Sequence, residues 1–263
     1  PYFASKGYLL PLNPWLSQIN RERFIPVSFN TTHIEGDSTI YSVPWFVDAR
    51  ALLANQKILK DNGINPNELK TYQDFRAALR KVNQAQMKLE DGTPIEAFAF
   101  PGKSDWNIPH NFAPWIWSDG GDFIKKDENG YRSALLDSGT LRGIAKYLDF
   151  VIDSLVNRSN LTQNTAQIIQ RFNNGELAFI LNTAEIAMLT RIASVNGGLE
   201  GSRIGNDGVI VLPVPQGDAG SIGFVGGSNL SIPAKYPNKD AALKLLMFLT
   251  SDSSVDAYTK TIG

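Results

Sequence analysis

The 263-residue sequence predicts an α/β fold, because segments with helical spacing of apolar residues alternate with short apolar runs along the chain. Three features carry this prediction. One helical segment has a capping pair at its start, another is followed by a glycine stop, and several short runs are typical of buried strands. No internal repeat and no low-complexity tract interrupts the alternation in the sequence. We therefore expect sheets that are covered by helices.

The first helix is predicted from its cap, and the first two helices are predicted from the period of their apolar residues. Thr71 would cap the first helix together with Asp74, and the apolar residues that follow share one helical face. Those residues are Tyr72, Phe75, Leu79 and Val82. A second amphipathic helix follows Asp137, with its predicted apolar face at Leu141, Ile144, Leu148, Val151, Ile152 and Leu155.

A third helix carries Ile168, Ile169 and Phe172. It should end at Gly175, because glycine adopts the left-handed conformation that ends helices at little cost. Short strands are then predicted over 177–181, over 209–212 and around 230–232. A last helix is predicted over 241–250, with its apolar face at Ala242, Leu245, Leu246 and Leu249.

The segment 41–59 passes from an aromatic-rich strand through a charged pair into an apolar run. Pro44 suits an edge or the end of a strand, because proline cannot donate a ladder hydrogen bond. Asp48 and Arg50 lie two residues apart and so share one side of an extended chain. Both can form forked hydrogen bonds to hydroxyl groups, and Trp45 offers a flat apolar face nearby. This combination is typical of a site for a hydroxyl-rich ligand.

The composition excludes several classes of function. Lys and Arg number 25 against 26 Asp and Glu, which argues against binding to nucleic acid or to an anionic membrane and favours a neutral ligand. Cysteine is absent, so no disulfide, thiolate metal site or thiol nucleophile is available. The two histidines, His33 and His110, cannot by themselves form a metal site, and we predict neither metal nor cofactor. No apolar run approaches the roughly 18 residues that span a bilayer.

Seven segments follow one another along nearly the whole chain in an order that is typical of one known family. They are 1–13, 41–59, 113–123, 171–180, 208–217, 224–233 and 239–251. In this order they resemble the carbohydrate-binding subunits of ABC importers, the extracellular solute-binding proteins of the maltose-binding type, family 1. The segments 41–59 and 208–217 resemble the two crossings between the lobes of those proteins.

The resemblance implies a two-lobed fold of the periplasmic-binding-protein type II, in which the lobes are discontinuous in sequence. The first lobe would comprise 1–46 and 214–263, and the second lobe 48–208, with hinges near 46–48 and 212–214. Members of the family begin before the residue that matches Pro1 and continue past the one that matches Gly263. We therefore expect a chain truncated at both ends, without the opening strands and the C-terminal helices of the first lobe.

The resemblance also implies a function. It predicts a non-catalytic receptor that binds a mono- or oligosaccharide between two lobes and presents it to the transmembrane subunits of an ABC permease. We expect a periplasmic or extracellular monomer, tethered as a lipoprotein in a Gram-positive bacterium, whose leader has been removed. One alternative is a carbohydrate-active hydrolase, with Asp48 and either Glu185 or Asp105 as general acid and base. Another is a receptor for a peptide, a polyamine or another non-sugar solute.

Candidate ligand contacts are predicted first in the crossing. Asp48 can accept two sugar hydroxyls and Arg50 can donate to them, although the two could instead form a salt bridge that stiffens a hinge. Trp45 could stack on a sugar or belong to the core. The segment 104–111 contributes Trp106, Asn107 and His110 just before an apolar helix. Helix capping by Asp105 or Asn107, and surface packing of Trp106, are the alternatives there.

Further candidates follow two predicted strands. Glu185 stands after the strand at 177–181, where the resembling family often has an aromatic residue. Gly226 and Gly227 would let the backbone approach a ligand closely, and Ser228 and Asn229 would hydrogen-bond it. A plain turn before a strand at Leu230 is the alternative for these four residues.

Overall fold

The computed structural model describes residues 1–102 and 105–262, so Ser104 of the candidate segment 104–111 lies outside the described residues. The described strands are β1 (Val43–Asn55), β2 (Glu96–Ala99), β3 (Ile124–Asp127), β4 (Gly130–Ser133), β5 (Leu177–Thr183), β6 (Val209–Leu212) and β7 (Val225–Leu230). The described helices are α1 (Tyr2–Ser5), α2 (Pro26–Asn30), α3 (Gln56–Asp61), α4 (Tyr72–Ala85), α5 (Ile108–Ser118), α6 (Ser138–Ile152), α7 (Thr165–Asn173), α8 (Ile186–Leu189), α9 (Arg203–Asp207), α10 (Lys239–Leu249) and α11 (Asp252–Ile262). Short 3₁₀ helices span Asn13–Gln18, Arg21–Arg23, Pro66–Glu68, Arg158–Thr162 and Ser194–Asn196.

The chain divides into two compact units, and the first division falls inside strand β1. The first unit comprises 1–49 and 225–263, and the second unit comprises 50–224. The predicted hinges near 46–48 and 212–214 lie N-terminal to these divisions. The residues after β6 stay with the second unit, where the backbone N–H of Arg50 donates to the carbonyl oxygen of Phe224 at 2.8 Å.

The second unit is built on a four-stranded mixed sheet in the order β2-β5-β1-β6. Strand β2 is parallel to β5, whereas β1 is antiparallel to both of its neighbours in this sheet. Leu52 of β1 is paired with Leu181 on one side and with Leu212 on the other. Phe75 of α4 is fully buried beside this sheet, and its ring contacts that of Phe179 on β5 at 5.2 Å. The paired strands thus form a floor covered by helices.

Local signals set the ends of two helices as predicted. Thr71 and Asp74 form a complete capping box at the start of α4, and all four predicted apolar residues of this helix are buried. Gly175 follows α7 with a φ of +76°, which places it in the left-handed region that ends helices. Ile168 and Phe172 of α7 are buried, and the strand that follows Gly175 is β5.

The predicted apolar face of α6 is wrong for Leu141, Leu148 and Ile152, which are exposed, whereas Leu155, which follows the helix, is buried as predicted. Leu148 is 50% exposed and Ile152 is 67% exposed, whereas the buried residues of α6 are Gly139, Thr140, Gly143, Tyr147 and Phe150. Close packing against α5 explains the difference. A Cβ atom on Gly143 would lie 2.4 Å from the Cα atom of Ile116, so only a glycine allows the two helices to approach this closely. Small residues therefore decide which face of α6 is buried.

In the first unit, residues 43–49 of β1 pair antiparallel with β7. The strand predicted around 230–232 therefore begins earlier, at Val225, and the interpretation of 226–229 as a turn is wrong. Asp48 is paired with Gly226, and Val47 with Gly227. The pairing explains why this strand contains glycine, because a Cβ atom on Gly227 would lie 2.3 Å from the carbonyl oxygen of Phe46.

The apolar face predicted for α10 is right in part, because Leu246 is buried and Ala242 packs against the core of the first unit. The buried residues of α10 are Leu243 and Leu246, whereas Leu245 is exposed. These two leucines join a core of the first unit that also contains Leu10, Leu12, Ile19, Phe29, Ile40, Val43 and Ile232. Tertiary contacts select this face, because α10 is apolar on more than one side.

Candidate functional site

A polar network in the second unit is centred on Arg50 of strand β1. One terminal nitrogen of its guanidinium, Nη1, donates to Oδ1 of Asn182 at 3.0 Å, and the other, Nη2, donates to Oδ1 of Asn107 at 2.7 Å. Asn107 stands at the start of α5 and Asn182 near the end of β5. Both asparagines are buried, with only 6% and 5% exposure. Three elements distant in sequence therefore meet at one arginine.

His110 extends this network by one hydrogen bond. Its ring nitrogen Nδ1 lies 3.1 Å from Oδ1 of Asn107. An amide oxygen only accepts, so Nδ1 carries the proton of this bond. Asn107 precedes the first turn of α5, but its side chain does not cap the helix and instead accepts from Arg50 and His110. The sequence of α5 thus places Asn107 and His110, three residues apart, on one side of the helix.

Four aromatic side chains form a row in the same unit, which we call the aromatic row: Trp106, His110, Phe224 and Trp117. The ring centres of Trp106 and His110 are 5.3 Å apart with an interplanar angle of 87°. Those of His110 and Phe224 are 4.1 Å apart, and those of Phe224 and Trp117 are 6.0 Å apart and nearly parallel. Trp106 is 76% exposed. Exposed aromatic faces beside directed polar groups suit the mixed surface of a sugar.

The two carboxylates considered as partners of Asp48 in a hydrolase have other roles in the second unit. Asp105 accepts hydrogen bonds from the backbone N–H groups of Asn107 and Thr165, and from the hydroxyl of Thr165. Burial raises the pKa of Asp105, but these hydrogen bonds outweigh it and hold the pKa below its ordinary value. Glu185 is exposed and accepts a hydrogen bond from the hydroxyl of Thr183 at 3.0 Å. Because its pKa is lowered, Asp105 is a poor general acid.

Asp48 belongs to the first unit, on the part of β1 that pairs with β7. Its oxygen Oδ1 is buried and has no hydrogen-bond partner among the described residues. A buried acceptor without a donor is costly, which makes this oxygen a candidate for a ligand hydroxyl. Trp45, in the same unit, packs on Tyr258 of α11 with ring centres 4.7 Å apart. Its packing in the first unit therefore supports the core interpretation of Trp45.

The four residues 226–229 are engaged by the pairing of β7 with β1. Asn229 donates through Nδ2 to the hydroxyl oxygen of Thr31 at 2.8 Å. Gly227 and Ser228 are exposed, and Gly226 is half-buried. The pairing with β1 thus accounts for the glycine at 227 without a ligand.

Of the predicted site residues, the second unit brings together Arg50, Trp106, Asn107 and His110. Glu185 instead accepts from Thr183 and takes no part in the hydrogen bonds that Arg50 makes to Asn107 and Asn182. Sequence reasoning missed three members of the site: Asn182, Trp117 and Phe224. A weak signal existed for Asn182, a polar residue at the end of an apolar strand, whereas an aromatic residue such as Phe224 carries no local sign of its partners.

Two classes of structural feature are absent from the described part of the chain. Residues 1–102 and 105–262 contain no group of three or more His, Cys, Asp or Glu side chains that could hold a metal ion. Within the same ranges, no helix is both long and apolar enough to cross a lipid bilayer.

Comparisons with known proteins agree on one family. Residues 1–256 match the family of the bacterial extracellular solute-binding protein. The diacetylchitobiose-binding protein DasA of Streptomyces coelicolor is 29% identical over 266 residues, which cover 100% of this chain and 57% of DasA. The chain thus spans little more than half the length of this curated relative.

Solved structures show the same fold. Maltose-bound MalE3 of T. maritima superposes with a TM-score of 0.74 at 26% identity, covering 96% of this chain and 60% of MalE3. The GacH receptor of Streptomyces glaucescens, solved unliganded and with acarbose, gives a TM-score of 0.76 at 22% identity, covering 99% of this chain and 61% of GacH. These likenesses confirm the predicted fold class.

Proposed function

The chain belongs to the family of bacterial extracellular solute-binding proteins, and we propose that it is part of a receptor that binds a mono- or oligosaccharide for an ABC importer. The observation that carries this proposal is the aromatic row beside the Arg50 network in the second unit. DasA is a diacetylchitobiose-binding protein and MalE3 was solved with maltose, and both ligands are carbohydrates. Because the chain spans only 57% of DasA, the activity of the whole protein is inferred.

The chemistry of the second unit supports a sugar ligand. The faces of pyranose rings are apolar and stack on aromatic rings, and the exposed indole of Trp106 offers such a face. Sugar hydroxyls and ring substituents lie at the edge of the ring, where they need directed donors and acceptors. The Arg50 network supplies polar groups whose positions are set by hydrogen bonds between side chains. Preorganised polar groups lower the cost of ordering the site when the ligand binds.

We extend this proposal to the partners and the location of the protein. The receptor would act outside the cytoplasmic membrane, in the periplasm or tethered to the cell surface by a lipid, and as a monomer. It would deliver the sugar to the transmembrane subunits of an ABC permease. The chain passes between its two units at residues 49/50 and 224/225, and these two connections would be the hinge that responds to the ligand.

A second class of function is less well supported. In a hydrolase, Asp105 would have to exchange a proton with the substrate, yet three hydrogen bonds hold it as an acceptor and its pKa is lowered. A polyamine receptor would need carboxylates at the centre of the site, where the second unit places the cation of Arg50. A receptor that binds its ligand without chemical change fits the residues better.

Titration of the tryptophan fluorescence of the full-length protein with mono- and oligosaccharides tests this proposal. We expect saturable binding of at least one sugar at one site, and no release of product from aryl glycosides or oligosaccharides over hours. Turnover of a glycoside would replace the receptor with a hydrolase. Folded protein that ignores every sugar but binds a peptide or a polyamine would move the function to another solute class.

A further inference from the structure

Residues 213–224, which lead from β6 to Phe224, are fastened to the C-terminal end of α5, and we call them the anchored loop. We propose that Asp119 is a positioning residue of the binding site, because it anchors this loop and thereby holds Phe224 in the aromatic row. This inference deepens the proposed sugar-binding function and rests on it. In this role Asp119 acts through Phe224 and does not itself contact the ligand.

The carboxylate of Asp119 joins the anchored loop to α6. Its oxygen Oδ1 accepts hydrogen bonds from the backbone N–H of Asp218 at 3.1 Å and from the ammonium group of Lys146. The preceding residue adds a second attachment, because the carbonyl oxygen of Ser118 accepts from the backbone N–H of Ala219 at 2.7 Å. Both acceptor residues are buried. The loop is thus held by two consecutive residues at the end of α5.

The backbone of the loop lies directly against this carboxylate. A Cβ atom on Gly217 would lie 2.2 Å from Oδ1 of Asp119, so a residue without a side chain is needed for this approach. A tight turn follows at once, in which the backbone N–H of Gly217 donates to the carbonyl oxygen of Gly220 at 3.0 Å. The loop therefore meets Asp119 through a compact turn and not through a long side chain.

The position of Asp119 is unfavourable for α5 taken alone. A carboxylate at the C-terminal end of a helix faces the negative end of the helix dipole. Its side chain is fully buried, and its second oxygen, Oδ2, has no hydrogen-bond partner among the described residues, which costs free energy. The oxygen that is used carries charge, and charge-assisted hydrogen bonds are stronger than neutral ones. We therefore assign to Asp119 the role of holding the loop.

The far end of the anchored loop reaches Arg50 and the aromatic row. A Cβ atom on Gly223 would lie 2.9 Å from the carbonyl oxygen of Arg50, and the carbonyl oxygen of Phe224 accepts from the backbone N–H of Arg50 at 2.8 Å. The ring of Phe224 then contacts those of His110 and Trp117, with centres 4.1 and 6.0 Å away. Both of these rings belong to α5. One helix therefore receives the aromatic side chain of the loop that its own C-terminal end holds.

Amide hydrogen exchange, measured by NMR on the full-length protein without ligand, tests the anchor. In Asp119→Ala the amides of Asp218 and Arg50 should exchange at least about tenfold faster, because the first loses its acceptor and the second loses the fixed carbonyl of Phe224. The amide of Leu53, three residues further along β1, is the reference and should not change. Unchanged exchange at Arg50, or an equal acceleration at Leu53, would overturn the proposal.

A double-mutant cycle relates the anchor to binding. With maltose and N,N′-diacetylchitobiose as probes, calorimetric titration should show that Asp119→Ala weakens binding of a sugar about fivefold but has no further effect in Phe224→Leu. Additive losses would mean that Asp119 does not act through Phe224, and would refute the inference. Asp119→Asn keeps an oxygen for the N–H of Asp218 and should restore the affinity to within about twofold of the unmodified protein.

Gly217→Ala tests the same contact from the side of the loop. The added Cβ atom would push the loop away from Asp119 while the hydrogen bond between Asp119 and Lys146 stays in place. This variant should weaken sugar binding about fivefold, and again only when Phe224 is present. A normal affinity in a folded Gly217→Ala protein would contradict the role of the contact.

Asn83→Ala is the control for a general loss of stability. Asn83 donates to the carbonyl oxygen of Leu155 and accepts from the backbone N–H of Ala97, and neither bond involves the anchored loop. The variant should lower the melting temperature and leave the affinity unchanged. If the folded, unmodified protein binds no carbohydrate, the proposed function is refuted, whereas the exchange experiment needs no ligand and decides the anchor by itself.

Discussion

The imidazole of His110 lies against the ring of Phe224, with centres 4.1 Å apart and an interplanar angle of 35°. Phe224 is the last residue of the second unit, and its carbonyl oxygen accepts from the backbone N–H of Arg50. One residue therefore connects the aromatic row to the strand that carries the Arg50 network. The contact joins residues 114 positions apart, and together with the hydrogen bond to Asn107 it holds the imidazole of His110 in place.

Replacing Phe224 tests the aromatic row. We expect Phe224→Leu to weaken binding of the sugar by roughly five- to tenfold, because the loss of an aromatic contact costs about 1 kcal/mol. Calorimetry measures the affinity. The nearby Ile222→Ala is the control, since Ile222 is a partly exposed aliphatic residue outside the row, and it should leave the affinity unchanged. Equal effects of the two substitutions would remove Phe224 from the site.

Trp106 should contribute to binding without contributing to stability. Its side chain is largely exposed, so Trp106→Ala should leave the melting temperature nearly unchanged. Loss of its stacking face should weaken sugar binding about tenfold and remove most of the fluorescence change. Tyr131→Ala, an exposed aromatic residue of the β3-β4 hairpin, is the matched control. An unchanged affinity in Trp106→Ala would mean that this indole does not contact the ligand.

Asp48 is predicted to bind a ligand hydroxyl from the first unit. Because its buried Oδ1 has no partner among the described residues, Asp48→Ala should cost little stability while weakening sugar binding by about tenfold. Thermal melting and calorimetric titration separate the two effects. Asp240→Ala, an exposed acidic residue in the first turn of α10, should change neither quantity. A normal affinity with normal melting would exclude Asp48 from the site.

Gly227 should be intolerant of any side chain. Its φ of +136° and a Cβ contact of 2.3 Å to the carbonyl oxygen of Phe46 predict that Gly227→Ala destabilises the protein by more than about 2 kcal/mol. Gly92→Ala provides the comparison, because Gly92 has a positive φ but no atom within 4 Å of the added Cβ. It should cost only about 1 kcal/mol. Urea unfolding measures both, and similar values would show that the β1-β7 contact relaxes.

Asp105 should make stability depend on pH in the acid range. Its hydrogen bonds lower its pKa in the folded state, so its contribution is complete above the unfolded pKa of about 3.9 and is lost as the pH falls through the lower folded value. Asp105→Asn should therefore destabilise the protein by about 1 kcal/mol at pH 7. The difference from the unmodified protein should shrink as the pH falls below 4. A difference that stays constant from pH 7 to pH 3 in urea unfolding would contradict this role.

Part of the fold could be predicted because its signals are local. The capping box of Thr71 and Asp74 involves residues three apart, and the stop at Gly175 depends on one backbone angle. The buried face of α6 could not be predicted, because it depends on the close approach of Gly143 to Ile116 on another helix. The extent of β7 could not be predicted for the same reason, since Gly226 and Gly227 suggest a turn, whereas both pair with β1 and Gly227 is required by its close contact with Phe46.

The candidate site shows the same division. The sequence by itself was enough to select the segments that carry Arg50, Trp106, Asn107 and His110 as binding candidates. In these segments aromatic and polar residues are concentrated beside apolar runs, a pattern that indicates a binding surface. Only the tertiary structure decided that Arg50 meets Asn182, which is 132 residues away, and that His110 meets Phe224. Spacing along the chain reports which residues share a face of one helix or strand. Partners from different elements are chosen by packing and by the pairing of buried polar groups, and these depend on the whole folded chain.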